Sequence, residues 1–383
     1  MPYGHILDYV GDGGEVFYPT PEQCERGIPN GFGWWTPIEN GAFFTGLYAY
    51  TLIKSYDAEP SEELRQKIDI LIHGLFTLYD VSHREGFIAR GVAEDGKSHY
   101  PISSDDQVAP WMLALYAYVH SDSCRDRDGA AQRLLRFLEV FSDSDDSVIT
   151  DWEGVKHGSW ASQSGWRDVV KLLFAKRIYA ELTGSDTDLA SFRAVAEGAP
   201  PESVYTRIEI VSHGFAPEMI NSYGKQPWIC VSAHLALREL RLLDPENADY
   251  YNRGIYNDAV AALPMVRGIR DFTQGNKPFC ADWRGLATLW QDRGHDISAH
   301  REMANAQNRI WMKETVPSRK DEHVILGNAV YAAWIAIASD DKRIADAAYS
   351  ELCRGYKEID WDRLHLPMAY PTECALRTYN LYK

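Results

Sequence analysis

The chain of 383 residues is short of positive charge, with 39 Lys and Arg against 55 Asp and Glu and a formal net charge of −16. Nucleic acids and anionic membranes both require a positive field, so the balance argues against either as partner. A locally basic site for an anionic small molecule is still compatible with it. Cysteine is also scarce: Cys24, Cys124, Cys230, Cys280, Cys353 and Cys374 are scattered without CxxC spacing. They read as ordinary thiols, not as a disulfide framework. No apolar run reaches transmembrane length. The start, Met1-Pro2-Tyr3-Gly4-His5, lacks the basic and apolar regions of a secretory signal, so a cytoplasmic chain, or one already trimmed, is expected. There is no Gly-rich phosphate loop, GxSxG elbow or dinucleotide fingerprint, and no cofactor is expected. Linkers of low complexity and composition breaks are missing too, which predicts one domain over 1–383.

Aromatic residues, by contrast, are abundant. The 12 Trp and 22 Tyr exceed what a core needs, and flat apolar rings suit stacking against sugar faces. Hydrophobic periodicity is overwhelmingly helical. Nearly all-apolar helices are predicted to begin near Glu39, Asp105, Gly165, Trp228, Trp283 and Gly327. Each is followed by a one-faced, charged helix: 61–79, 127–141, 186–196, 245–263, 298–313 and 341–357. The first kind is buried on most sides and the second on one. Repetition at about 55 residues predicts an all-α (α/α)6 barrel of six inner and six outer helices, with an open helical solenoid as the alternative. The stretch Gly86 to His99, with its turn at Glu94-Asp95-Gly96, is expected to form a short hairpin over the mouth.

In such a ring the N-termini of the inner helices gather at one end, where their free N–H groups and dipoles point into a shared funnel. The residues just before those helices therefore count together. Trp34, Trp35, Glu39 and Asn40 precede the first; Asp105 and Asp106 open the second; Trp160, Trp166 and Arg167 stand at the third; Trp228 and Trp283 mark two more. Ser104 or either Asp can cap the second helix. A pair of acids also permits one to cap while the other faces the funnel, their mutual repulsion raising the proton affinity of one member. Glu39 is the best partner for Asp106 or Asp105. Glycoside hydrolysis needs two carboxylates roughly 5–9 Å apart, and neighbouring helix mouths lie about 8–10 Å apart. Asp168 and Asp282 are weaker candidates of the same kind.

A second constellation competes with the acids. His99, Tyr100, His157, His213, Asn221, Tyr223 and Arg284 also precede inner helices. Uronate β-elimination uses residues of these types: a cation or amide on the carboxylate, a His or Tyr base, and a Tyr to protonate the leaving oxygen. Metal is not expected. Cys230 and His234 share a helix face, but no third and fourth ligands are evident.

The six-pair layout, with Trp/Gly-rich mouths and an Asp opening an inner helix, resembles the α/α-toroid carbohydrate-active enzymes. These include unsaturated glucuronyl and rhamnogalacturonyl hydrolases and polysaccharide lyases of the same fold. In those hydrolases the acid/base is an Asp at an inner-helix mouth followed by a Pro within the helix, which Asp106 with Pro110 matches best, then Asp105, at a different spacing. The resemblance implies a glycoside hydrolase acting on oligosaccharides that contain uronic acids, free of metal. Asp106 or Asp105 is then the acid and Glu39 the base or nucleophile. Trp34, Trp35, Trp160 and Trp166 would be stacking walls, and Arg90, Lys97 and Arg284 would hold a substrate carboxylate. A lyase using His99 and Tyr100 is the alternative reading, and a non-catalytic helical scaffold is the third. A homo-oligomer is compatible with all three.

Overall fold

The computed structural model describes residues 2–215, 226–275, 281–314 and 322–382. Asn221 and Tyr223 lie outside them. In chain order the helices are α1 (Pro21–Glu25), α2 (Gly41–Ala58), α3 (Glu62–Asp80), α4 (Asp105–His120), α5 (Arg127–Asp143), α6 (Trp166–Thr183), α7 (Asp186–Glu197), α8 (Arg207–His213) and α9 (Pro227–Leu243). They continue as α10 (Ala248–Ala262), the single turn α11 (Gly268–Asp271), α12 (Ile297–Glu314), α13 (Asn328–Ile337), α14 (Lys342–Tyr356) and α15 (Ala369–Leu381). Among the described residues the protein is all-α apart from two short antiparallel strands, β1 (Ser147–Ile149) and β2 (Lys156–Ser159).

At a coarse level the helices form an array of the solenoid or toroid kind. Helix α2 packs on α4, α6 on α9, α9 on α13, α13 on α15, and α15 returns to α2. Their sequences explain the placement: α2, α4 and α13 are apolar all round and buried along almost their whole length. Helices α3, α5, α10 and α14 bury one stripe each and carry charged and polar residues on the other side. One contiguous apolar cluster takes in residues from Ile6 to Ala375. No helix among the described residues is long and apolar enough to cross a membrane.

Two expectations are corrected. The apolar helix predicted from Trp283 does not form. Gly285 and Gly294 interrupt that stretch, and Trp283 leads only a 3-10 turn, Arg284–Leu289. Its ring is buried in a small separate cluster with Tyr9 and Trp311, and its indole N–H donates to the Phe17 carbonyl at 2.6 Å. The inner position in the array is taken instead by α15. The following helix, α12, is therefore no outer partner. It lies along the loop before α2: Gly31 N–H donates to His300 Nδ1 (3.0 Å), Trp35 Nε1 to the Ala304 carbonyl (3.0 Å), and Asn30 Nδ2 to Gln307 Oε1 (2.9 Å). The second correction concerns the hairpin. It is partial: no strand forms over 86–99, but the chain turns at Glu94-Asp95-Gly96 as expected, Ala93 N–H donating to the Ser98 carbonyl at 2.7 Å and Asp95 accepting from the N–H groups of Lys97 and Ser98. The strand pair lies at 147–159.

Helices α2 and α4, which carry Glu39 and Asp106 at their mouths, approach closely at Gly46. A Cβ there would meet the Pro110 carbonyl carbon at 2.5 Å and its oxygen at 2.6 Å, both backbone atoms. Gly46→Ala is expected to destabilise the fold by up to about 2 kcal/mol, because overpacking against backbone atoms, about 1–3 kcal/mol, outweighs the helix-propensity gain of about 1 kcal/mol. Urea denaturation checks this; a stabilised variant would contradict the close approach.

Candidate functional site

The N-termini of α2, α4 and α6 open onto a groove of two connected lobes. One lobe, of about 570 Å³, is lined by Asp8, Trp34, Trp35, Glu39, Asn40 and Asp106 with residues of α12 and α13. The other, of about 560 Å³, is lined by Asp105, Asp106, His157, Trp160 and Arg167 among others. Trp34, Asp106, Gln226 and Trp228 line both lobes, so Asp106 stands at the junction.

Asp106 is oriented through both oxygens. Ser104 Oγ donates to Oδ1, and Gln107 Nε2 donates to Oδ2 at 3.1 Å. Ser104 is the N-cap residue of α4, yet its side chain makes no capping bond. It is held instead by Arg90, whose Nη2 donates to it at 2.6 Å. Pro110 has no N–H, so the Asp106 carbonyl lacks its usual helical donor.

Arg90 is fully buried and ties the two helix mouths together. It donates to the Glu39 carbonyl (3.1 Å) and the Ile102 carbonyl (2.9 Å) as well as to Ser104. Burial pushes its pKa down, against the pull of Asp106, Glu39 and Asp8. It is a structural tie, so its guanidinium is not turned to a substrate carboxylate. A second link runs through amides: Asn40 Nδ2 donates to Asp8 Oδ1 (2.6 Å), and Gln107 Nε2 donates to Asn40 Oδ1 (2.7 Å) as well as to Asp106.

Glu39 accepts from the backbone N–H of Trp35 at 2.7 Å. Trp35 has a φ of 75°, a left-handed conformation that costs a bulky residue about 1–3 kcal/mol. Three bonds enforce it: that N–H, the indole N–H on Ala304, and its carbonyl accepting from Tyr9 Oη at 2.7 Å. The strain turns the backbone toward the Glu39 carboxylate, directly at the cavity wall.

Asp105 has a different fate from its neighbour. Lys171 Nζ, fully buried, lies 2.8 Å from it, and Arg167 Nη2 lies 3.5 Å away. Burial alone would raise its pKa, but these two cations hold the carboxyl well below the usual carboxylate range. Asp105 is thus a fixed anion. Arg167 is shared with Asp168 at 3.2 Å, and its own pKa is raised despite burial.

His157, in β2, faces the same lobe. Burial lowers its pKa to about 4, against the pull of Asp105, so the ring is neutral at pH 7. Its Nε2 accepts from Arg301 Nη2 at 2.8 Å, which leaves the proton on Nδ1. That Nδ1, the Trp160 indole N–H, the Tyr331 hydroxyl and Asn308 Oδ1 belong to residues that line the groove. These polar atoms are buried beneath the groove surface without a hydrogen-bond partner among the described residues.

Other residues singled out in the sequence are placed elsewhere. Tyr100 is buried under the loop at Gly33, whose φ is 65° and whose missing Cβ would collide with the Tyr100 ring; its hydroxyl donates to the Ile28 carbonyl at 2.5 Å. Burial drives its pKa well above the ordinary phenol value. His99 is held between Asp151 (3.1 Å) and the Lys97 carbonyl (3.1 Å). Lys97 is exposed, and none of the three lines the groove. Trp166 is buried, donating to the Val211 carbonyl at 3.1 Å. His213 ends α8 edge-on to Tyr205, at 4.9 Å between centroids. Arg284 pairs with Asp282 at 2.7 Å and lies over the Phe17 ring, outside both lobes.

Sequence reasoning missed Asp8, Tyr331 and the α12 residues Arg301, Asn308 and Arg309. His234, weighed as a zinc ligand with Cys230, places Nδ1 on Asp258 at 2.8 Å, with both side chains fully buried. No cluster of three or more metal-ligating side chains occurs among the described residues. Compared with family models, with curated proteins and with solved structures, the chain matches none. Its chemistry is read from the groove itself.

Proposed function

We propose that the chain is a glycoside hydrolase with an (α/α)6 toroid architecture, acting on oligosaccharides that contain uronic acids. The observation that carries this reading is Asp106 at the junction of two lobes, with Glu39 in the wall of one of them. A cavity of 570 Å³, about 10 Å across if spherical, has room for the roughly 5–9 Å that separates the two carboxylates of glycosidases. Asp106 is the proton donor in this scheme, and Glu39 activates water or attacks the anomeric carbon. Arg90, Asn40 and Gln107 keep both mouths in register. Trp34, Trp35 and Trp228, which line the groove, give flat walls for pyranose rings.

A second reading has its own support. The neutral His157 and the unpartnered Tyr331 hydroxyl are the residue types that β-elimination uses. Incubation with uronate oligosaccharides separates the two. Hydrolysis is expected to yield new reducing ends without any rise in the ultraviolet absorbance of an unsaturated uronate. A rise matching the reducing ends would replace hydrolysis with elimination.

A further inference from the structure

We propose that α12 is the specificity element of this groove: Arg301 and Arg309 form two anion contacts, one on each side of Asp106, that select a glycan carrying acidic groups on both sides of the bond at the junction. The proposal rests on the glycan reading above and adds where and at what spacing the charge is read.

Helix α12 has two working faces. His300, Ala304 and Gln307 dock it onto the loop before α2, through the hydrogen bonds given above. Arg301 and Asn308 lie one residue round the helix from that face and Arg309 on its far side, and all three line the groove. Arg301 lines the lobe that holds Asp105, and Arg309 the lobe that holds Glu39. Eight residues at 1.5 Å each set the two guanidinium-bearing positions about 12 Å apart along the helix axis. That is the span of a short run of linked pyranose rings, with Asp106 between its ends.

The charge state of these arginines sets them apart from the other cations of the groove. Lys171 and Arg167 are neutralised by Asp105 and Asp168, and Lys156 by Asp145 at 2.7 Å. Arg301 makes no ion pair among the described residues. Its contacts are the neutral His157 ring and the face of Phe32, 5.8 Å away. Arg309 is exposed and likewise has no ion pair among the described residues. In a chain with net charge −16, two uncompensated guanidiniums lining one groove are the features that would draw an anion there. Guanidinium matches a carboxylate or a sulfate with paired N–H donors.

The test is equilibrium binding to Asp106→Asn protein, which keeps ligands intact. The probes are galacturonate, mannuronate and glucuronate-containing oligosaccharides, each paired with its carboxyl-reduced, neutral counterpart. The expected result is at least a tenfold preference for one acidic form, weakening with salt. Arg301→Gln and Arg309→Gln should each cut that preference about threefold, leave affinity for the neutral form unchanged, and be partly rescued by Lys at the same position. Tighter binding of the neutral form, or a preference untouched by both Gln variants, would overturn the proposal while leaving the glycosidase reading standing. Binding of neither acidic nor neutral oligosaccharides would remove both.

Discussion

Asp106→Asn is expected to lower turnover by about a thousandfold or more, the scale at which a positioned acid or base contributes, while the protein stays folded. The expectation follows from how the side chain is held. Ser104 and Gln107 fix both its oxygens, and Arg90 fixes Ser104. An amide fills the same volume and can keep one of those bonds, but it cannot deliver a proton to a leaving oxygen. Glu39→Gln should show a loss of similar size, because the base or nucleophile is then missing. Circular dichroism and melting temperature serve as the folding control, and steady-state release of reducing ends as the readout. Wild-type turnover in both variants would end the two-carboxylate mechanism. Retained turnover in Asp106→Asn together with loss in His157→Asn would transfer the chemistry to the imidazole.

Much of this geometry was legible in the sequence, for a definite physical reason. Helices buried on most sides are apolar all round, so α2, α4, α6, α9 and α13 begin within about two residues of where the apolar runs begin, well inside the usual uncertainty of helix ends. Residues just before them reach a common groove because those helix mouths open on one side. Glu39, Asn40, Asp105, Asp106, Arg167 and Trp228 were found that way. Helix α15 was missed because it packs through small and polar residues: Thr372, Cys374, Ala375 and Thr378. That stripe does not stand out from a one-faced helix by hydropathy. Trp283 misled in the opposite sense, since a buried tryptophan marks a core without saying which core. His99 and Tyr100 lie next to Asp105 in sequence, yet the turn at Asp95 and the packing beneath Gly33 draw them away from the groove. The groove face of α12 and the carboxylate of Asp8 were not legible either. Periodicity shows that a helix buries one face, not what that face is laid against, and Asp8 belongs to an irregular segment held by long-range contacts such as those with Asn40 and the Pro37 carbonyl.

Removing Lys171 is the substitution with the largest expected cost in stability. Lys171→Met leaves Asp105 in a largely buried setting with only Arg167 at 3.5 Å. Breaking a buried ion pair by deleting one partner costs about 3–5 kcal/mol, and the remaining arginine places the expected loss near the lower end of that range, about 3 kcal/mol. The dependence on pH identifies the cause. The folded-state pKa of Asp105 lies well below its ordinary value, first against burial and then through Lys171 and Arg167. Such a group contributes stability that is fully present above the unfolded pKa of about 3.9 and is lost as pH falls toward the folded value. The difference between wild type and Lys171→Met should therefore be constant from neutral pH down to roughly pH 5 and shrink below about pH 4. Urea denaturation across that range gives the curve. Asp105→Asn combined with Lys171→Met should recover part of the loss at pH 7, since neither charge is then left alone, whereas Asp105→Asn by itself strands a fully buried lysine. A loss as large at pH 3 as at pH 7 would mean that Lys171 stabilises the fold through packing of its stem and not through Asp105. The acid beside Asp106 would then be free to take a proton itself.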